Sequence, residues 1–453
     1  MAYLKLITAL IRMRKNIKRR KPEIQRIQQE KLTKLLLHAY RNSEYYRKSF
    51  KKAGIREEDI GKIPLSAYPA VDKEILVSHF DELVTTDDLK QEKIRVFDAS
   101  HSIKEKKYMG KYHLVHSSGS TGIPRFFVYD EDAWMQMILG IIRGALWDMS
   151  ILSVLKLIFS HPGILYIAAT DGRYGGAMAV ADGIDGIHAK QMTLDIKTPL
   201  SEWRKKVEAF SPTIIIGYPS AIKILSEELE ESAVLSKVSR VITCGEPLNA
   251  SMRQFLEKTY KCPVINFYGA SESLAIGVES EPAEGMYLFD DMNYIEVFEG
   301  QMYLTCLYNY TQPLIRYKIS DQLQRKNDTL SKCQFARSET PLGRNEDILW
   351  FYNSSGNREF LHPLDLEGIC VEGLMDYQFK KMNSTHFEMI AEVSRDDEKQ
   401  RISKEIHLVV EKLLADKQLN NVTFSVRFMG KIFPDSKTGK KKLVLIEGDG
   451  EQL

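Results

Sequence analysis

Five short stretches of this chain combine residue types suited to chemistry, at spacings that a tight turn or a strand end would expose. In His116-Ser117-Ser118-Gly119-Ser120-Thr121-Gly122-Ile123-Pro124-Arg125, two glycines let the backbone approach a ligand closely. Its consecutive amides and hydroxyls can surround phosphate oxygens, and Arg125 adds positive charge. The G-x-x-x-x-G-K-[ST] spacing of a Walker A loop is absent. In Asn266-Phe267-Tyr268-Gly269-Ala270-Ser271-Glu272-Ser273, the aromatic ring can stack on a base. The carboxylate can hold Mg²⁺, which keeps several waters and needs only one or two protein oxygens. Pro313-Leu314-Ile315-Arg316-Tyr317-Lys318-Ile319-Ser320-Asp321 ends on a carboxylate suited to accept hydrogen bonds from two ribose hydroxyls. Gly343-Arg344-Asn345-Glu346-Asp347 and Phe433-Pro434-Asp435-Ser436-Lys437-Thr438-Gly439-Lys440-Lys441 complete the set. Taken singly, each is read more readily as a Ser/Gly surface loop, a turn with an exposed carboxylate or solvated lysines.

These stretches need a scaffold. Leu32, Leu35, Leu36 and Tyr40 recur at helical spacing, so the spacing predicts a helix from Ile24 to about Lys52. The middle of the chain alternates. Thr213–Ile216 reads as a buried strand, followed by a helix that Ser220 can cap, with Ile222, Leu225 and Leu229 inward. Val241–Thr243 is the next strand, then a helix that Asn249 can cap (Met252, Phe255, Leu256), then a strand over Pro263–Tyr268. Strand, helix, strand, helix, strand implies an α/β fold with a parallel sheet and right-handed crossovers. Ligands of such sheets lie at the carboxyl ends of the strands. Gly217-Tyr218-Pro219-Ser220, Cys244-Gly245-Glu246 and Tyr268-Gly269-Ala270-Ser271-Glu272 all fall at such ends. From about Asn345 a mixed segment, with a helix near Asp397–Leu414 and a strand near Val422–Met429, reads as a second, smaller α+β domain. The expected division is 1–344, with a helical start over about 1–60, and 345–453.

Composition narrows the class. At 453 residues, 43% hydrophobic, 27% charged and net charge +2, the chain is an ordinary globular protein with no global argument for nucleic acid. Five cysteines (Cys244, Cys262, Cys306, Cys333, Cys370) include no C-x-x-C pair. Neither a disulfide framework nor a clustered zinc site is expected, and reduced thiols fit a cytoplasmic protein. Leu4, Ile7, Leu10 and Ile11 share a helical face, followed by Arg12, Arg14, Lys15, Lys18, Arg19, Arg20 and Lys21. The order is wrong for a signal peptide and the apolar stretch too short to span a bilayer. The favoured reading is a helix packed on its own domain, with an anionic membrane or a partner as the alternative.

Taken together and in order, the five stretches resemble the core motifs of the adenylate-forming superfamily of acyl-CoA synthetases, adenylation domains and luciferases. Ser118–Arg125 is similar to its glycine-rich phosphate loop, and Tyr268–Glu272 to its Y-G-x-[ST]-E motif. Arg316–Asp321 resembles R-Y-x-x-G-D, with Ser320 in place of Gly. Gly343-Arg344 resembles the hinge motif and Thr438-Gly439-Lys440 the C-terminal lysine motif. Tyr45-Tyr46-Arg47, Gly217–Ser220 and Gly245-Glu246-Pro247-Leu248 resemble the phenylacetate-CoA ligase and coenzyme F390 synthetase-like, or CapK-like, branch. The resemblance implies a large domain with a parallel βαβ core and a small mobile domain that pivots at Glu346 or Asp347. It implies ATP-dependent activation of a carboxylic acid, aromatic in most of this branch, followed by transfer to coenzyme A or a carrier-protein thiol. Ser117, Ser118, Gly119, Ser120, Thr121 and Gly122 would hold phosphates, and Gly245, Glu246, Tyr268, Gly269 and Ser271 would frame the nucleotide. Asp321 would take the ribose and Glu272 the Mg²⁺, with Arg316 near ribose and phosphates and Lys440 at the α-phosphate. A homodimer is compatible with the branch. Two departures concern the acceptor: Leu349–Gly356 replaces the usual glycine-containing pantetheine segment, and Asp290-Asp291-Met292-Asn293 lacks the branch's histidine. Two rivals stand beside this reading: AMP transfer to a hydroxyl, and a non-catalytic nucleotide-binding scaffold. Retention of both Glu272 and Lys440 weighs against the scaffold.

Overall fold

A computed structural model describes residues 2–99, 107–117, 125–169, 178, 179, 182, 189–248, 250–298, 301–326, 333–339, 348–361, 366, 369, 371–393, 395–432 and 443–445. Its centre is an eight-stranded sheet. Lys190–Asp195, Gly163–Ala168, Ile214–Gly217, Arg240–Thr243 and Val264–Ala270 run parallel in that spatial order. Ser273–Glu279, Met286–Leu288 and Arg337–Ser338 extend it antiparallel. Apart from the exposed edge strand Lys190–Asp195, the parallel strands are largely buried and rich in apolar residues because helices cover both their faces. Ile222, Leu225 and Leu229 are buried inward from the helix Pro219–Glu228, and Leu256 from Ala250–Tyr260.

Three details differ from the sequence expectation. The stretch 24–52 is two helices, Lys21–Asn42 and Glu44–Lys52, because Ser43 breaks the run and caps the second by accepting from the Tyr46 amide at 3.3 Å. Ser220 is the second residue of its helix and caps nothing; Tyr218 occupies the cap position. Asn249 lies outside the described residues. The N-terminal helix Ala2–Lys15 packs on the domain, burying Leu6, Ile7, Leu10 and Met13 against the helix Glu131–Ala145. Its buried Arg14 donates to the carbonyls of Leu146, at 2.7 Å, and Met149. Beneath it, Arg143 grips Asp291 with two hydrogen bonds, 2.7 and 3.0 Å, and Asn16 donates to the same carboxylate. Asp291 is thereby consumed by packing, and Met292 and Asn293 are buried beside it.

A second core gathers around a four-stranded sheet ordered Thr423–Met429, His386–Val393, Leu374–Lys381, Val444–Leu445, covered by the helix Lys399–Asp416. Between the cores lies a hairpin, Leu349–Tyr352 with Arg358–Leu361. Strand alternation divides it: Leu349, Phe351 and Leu361 join the small core, while Phe360 joins the large one, edge-on to Trp203. Here Lys417 and Glu359, both fully buried, form an ion pair at 3.3 Å. Glu359 also accepts from the Leu200 amide at 2.7 Å, at the start of the helix Leu200–Phe210. Lys417 donates to the carbonyls of Ile196 and Thr198. A carboxylate at a helix N-terminus and an ammonium on carbonyls both suit the local dipoles. Truncating one partner strands the other charge in the interior. Lys417→Met is expected to lower stability by about 3 kcal/mol in urea melts, with much of the loss restored in Lys417→Met/Glu359→Gln.

Burial pushes the Asp290 carboxyl up to about 6, against the hydrogen bond it accepts from the Ala336 amide at 2.6 Å. The folded state therefore holds this proton more tightly than the unfolded chain. The burial cost is absent below about pH 4, grows as pH rises towards 6 and is complete above it. Asp290→Asn keeps the acceptor and removes the charge. Its stability gain over wild type is expected to grow from near zero at pH 4 to roughly 2 kcal/mol at pH 7, read from melts across that range.

Candidate active site

The parallel strands deliver three turns to one rim. Gly217 ends its strand, and beyond Thr243 the chain turns at Gly245 with φ of 79°. A Cβ there would sit 2.6 Å from the Tyr218 ring. Gly245 is thus required twice, for its left-handed backbone and for the flush approach of Tyr218. Glu246 turns back to the helix after Gly217, accepting from the Ser220 amide at 3.1 Å and hydroxyl at 2.9 Å. Its carboxylate sits where the helix N-terminus favours negative charge. In this arrangement its side chain braces the second turn against the first.

At the third turn the sequence expectation stopped at Tyr268, but the strand continues to Ala270 and reverses through Ser271-Glu272 into Ser273–Glu279. The pairing slips between Tyr268 and Ala270, a bulge that requires Gly269: a Cβ there would meet the Leu274 carbonyl at 2.4 Å. The turn is held from behind. Tyr129 donates to the Ser271 carbonyl at 2.8 Å. The Ser273 hydroxyl lies 3.0 Å from the Asn293 Oδ1 and 2.9 Å from the Tyr308 hydroxyl.

Across the rim lies a three-stranded sheet of Asn293–Phe298, Gln301–Cys306 and Tyr317–Gln322. The Tyr268 hydroxyl donates to the Asp321 Oδ2 at 2.7 Å, joining the two sheets. Burial, then the charge of Asp321, holds the Tyr268 phenol well above its ordinary value, so it stays a donor. Burial likewise raises the Glu272 carboxyl; Asp321 adds to the shift and Arg125 opposes it. A half-buried carboxylate with a second one near it gains from a divalent cation. Among the described residues no cluster of three or more His, Cys, Asp or Glu could hold a metal. One or two carboxylate oxygens are the kind of donor set that suits an ion keeping most of its waters.

The phosphate loop itself, Ser118–Pro124, lies outside the described residues, as do Gly343–Asp347 and Lys440. Its base is described: His113–Ser117 pairs antiparallel with Arg125–Tyr129, and Ser117 stands opposite Arg125. The outer edge of this hairpin is satisfied by Gln312, which accepts from the Val128 amide at 2.8 Å and donates to the Phe126 carbonyl at 3.1 Å. The hairpin is thereby tied to the segment that leads into Tyr317–Gln322.

Arg316 has a bracing set of partners. Its Nε donates to Glu296 at 2.9 Å, and Nη1 to the carbonyls of Ser66, at 3.0 Å, and Tyr68, at 2.7 Å. Its φ of 50° is left-handed, and its amide donates to the Thr305 hydroxyl. Tyr317 is the residue that sequence reasoning passed over. It lies on the strand that carries Asp321, four residues on, with Lys318 exposed and a slip in the pairing between Lys318 and Gln322. Its ring is buried, and the charges of Glu272 and Arg125 act on its phenol.

Residues 22–290 match the AMP-binding enzyme family, and the chain belongs to it. Among its relatives, phenylacetate-coenzyme A ligase of Aromatoleum evansii is 24% identical over 352 residues, 72% of each chain. Protein CapK of Staphylococcus aureus is 26% identical over 257 residues, 54% of this chain and 55% of that one. The fold matches 2-hydroxyisobutyryl-CoA ligase, solved with 2-HIB-AMP and CoA in the thioesterification state. The TM-score is 0.62 at 17% identity, covering 95% of this chain and 91% of that one.

Tyr268→Phe removes one charge-assisted hydrogen bond and leaves the ring in place. Calorimetric titration with ATP is expected to show about tenfold weaker binding. Gly245→Ala, which drives a methyl into Tyr218, is expected to weaken it further.

Proposed function

We propose that this chain activates a carboxylic acid with ATP, forming an acyl-adenylate and pyrophosphate, and then passes the acyl group to a thiol, coenzyme A or a carrier protein. The observation that carries this reading is the junction of Tyr268, Asp321 and Glu272 at the carboxyl rim of the sheet, in a chain of the AMP-binding enzyme family. The adenine lies between the Gly245 turn and the Tyr268 ring, and Asp321 accepts from the ribose hydroxyls. The hairpin loop from Ser117 to Gly122 takes the β- and γ-phosphates. Glu272 is the residue that holds Mg²⁺, which when bound offsets phosphate charge. A substrate carboxylate oxygen attacks the α-phosphorus as its bond to the bridging oxygen breaks. Lys440 neutralises the charge that builds there. The thiol sulfur then attacks the acyl carbonyl and AMP leaves. Relatives named for phenylacetate, together with Tyr166 and Tyr218 beneath the Gly245 turn, favour an aromatic acid.

Two features argue that the machinery is kept for turnover. Glu272 is held in a desolvated position that nucleotide binding alone does not need, and a lysine stands at the position matching the C-terminal motif. Isotope exchange between pyrophosphate and ATP, with Mg²⁺ and a panel of aryl, arylacetic and fatty acids, tests the proposal. One aromatic acid is expected to stimulate exchange, and Lys440→Ala to lower it by about 10²–10³. Measurable ATP binding with no exchange for any acid would overturn it in favour of AMP transfer to a hydroxyl or of binding alone.

A further inference from the structure

Away from the site, the helix Ile151–Phe159 leaves its apolar side open. Leu152 is 79% exposed, Phe159 62% and Ile151 37%, while Val154 and Ile158 point into the core. At about 100° per residue, Ile151, Leu155, Phe159 and Leu152 fall within an arc of about 100°, with exposed Lys156 roughly 40° beyond its edge. A core helix has one apolar stripe. In this one the stripe widens to an arc of about 220°, and its outer part is turned to solvent.

The surface beside it is cationic. Arg14 donates to the carbonyls of Leu146 and Met149, so the last turn of Ala2–Lys15 lies against the turn that opens Ile151–Phe159. Arg12, Lys15, Lys18 and Arg20 around that turn are exposed. Residues 1–22 contain eight Lys or Arg and no Asp or Glu, in a chain whose net charge is only +2. Residues 149–170 contain no carboxylate either. The nearest preceding one, Asp148, is taken by Arg240 through two hydrogen bonds of 2.8 and 3.0 Å. Exposed apolar side chains and a one-signed cationic border therefore meet on one side of the molecule.

From this juxtaposition we infer that the chain docks on anionic lipid membranes through this face. The apolar stripe of 151–159 enters the headgroup boundary, and the basic turn of the N-terminal helix meets the lipid phosphates. Two physical requirements of interfacial binding are met together, shallow apolar insertion and flanking cations. A second copy of the chain fits less well. Four side chains cannot bury the about 800 Å² per partner of a stable dimer, and a two-fold contact would bring like charges together. No helix among the described residues is long and apolar enough to cross a membrane, so the contact is peripheral.

The test uses the full chain and vesicle flotation, with phosphatidylcholine alone or with 30% phosphatidylglycerol added (about 3:7). Binding is expected to the anionic vesicles, to weaken in high salt, and to be near background on phosphatidylcholine. Leu152→Glu/Phe159→Glu and, separately, Lys15→Glu/Lys18→Glu are each expected to lower partitioning about tenfold or more. All four positions are exposed, and unchanged thermal melts verify that the variants fold. Light scattering of wild type and Leu152→Glu/Phe159→Glu runs alongside. No binding to anionic vesicles, binding that either pair leaves unchanged, or a wild-type dimer that the 152/159 pair makes monomeric would each overturn the inference.

Discussion

The hydrogen bond from Tyr268 to Asp321 joins a strand of the main sheet to one of the small sheet, and the geometry of the candidate site follows from it. Strand 264–270 has to arrive with its ring turned outward, which the bulge at Gly269 permits. Asp321 reaches it from a strand whose pairing slips between Lys318 and Gln322. Glu272 then lies between the two carriers, on a turn too short to wander and fixed from behind by Tyr129 and Ser273. The loop-bearing hairpin is positioned by Gln312, five residues before Tyr317, so a shift in the small sheet would move the phosphate loop's base as well. Tyr268, Asp321, Glu272 and the hairpin 113–129 are consequently one mechanical unit.

Around that unit the chain places buried charges at seams. Arg143 with Asp291 joins the helix 131–145 to the segment before the small sheet, and Arg253 with Glu279 joins a helix to the antiparallel strand. Lys417 with Glu359 ties the end of the helix Lys399–Asp416 to the hairpin 349–361, where the two cores meet. Buried pairs are weak contributors to net stability, because desolvation offsets attraction, but they penalise every arrangement that separates them. Seams are where alternative packings of similar apolar area compete, and there a directional pair decides among them.

Much of this was legible in the sequence, for identifiable reasons. Apolar β-branched runs such as Thr213–Ile216, closed by glycine, marked the parallel strands, since burial on both faces leaves a continuous signal. Three polar turns on one rim followed from topology. What was not legible depends on partners distant in sequence. Ser220 looked like a cap, but its hydroxyl goes to Glu246, twenty-six residues on. Asp291 looked like a departure in an acceptor segment, yet its carboxylate belongs to Arg143. Arg316 carried the family motif, while in this structure its guanidinium serves Glu296 and the 66–68 carbonyls. Periodicity reports which face is buried and is silent about what a polar group meets there.

The seam between the cores also bears on the rotation that the family resemblance implies. Lys417 ends the helix that covers the small sheet, and Glu359 lies in the hairpin 349–361, which Lys381 and Asn421 tie to that sheet by donating to the Trp350 and Tyr352 carbonyls. The large domain contributes only backbone, the Leu200 amide and the Ile196 and Thr198 carbonyls. Undocking therefore leaves this buried pair whole, while the surface pair Arg358–Glu227, 3.9 Å apart, would separate. The ion pair travels intact, and the groups left behind are the end of one helix and two carbonyls, which water can satisfy at about 1 kcal/mol net each. An ion pair split across the two domains would instead leave a stranded charge on each side. By keeping both charges on one body, the chain makes a contact that fixes one orientation without dividing a buried ion pair between two bodies.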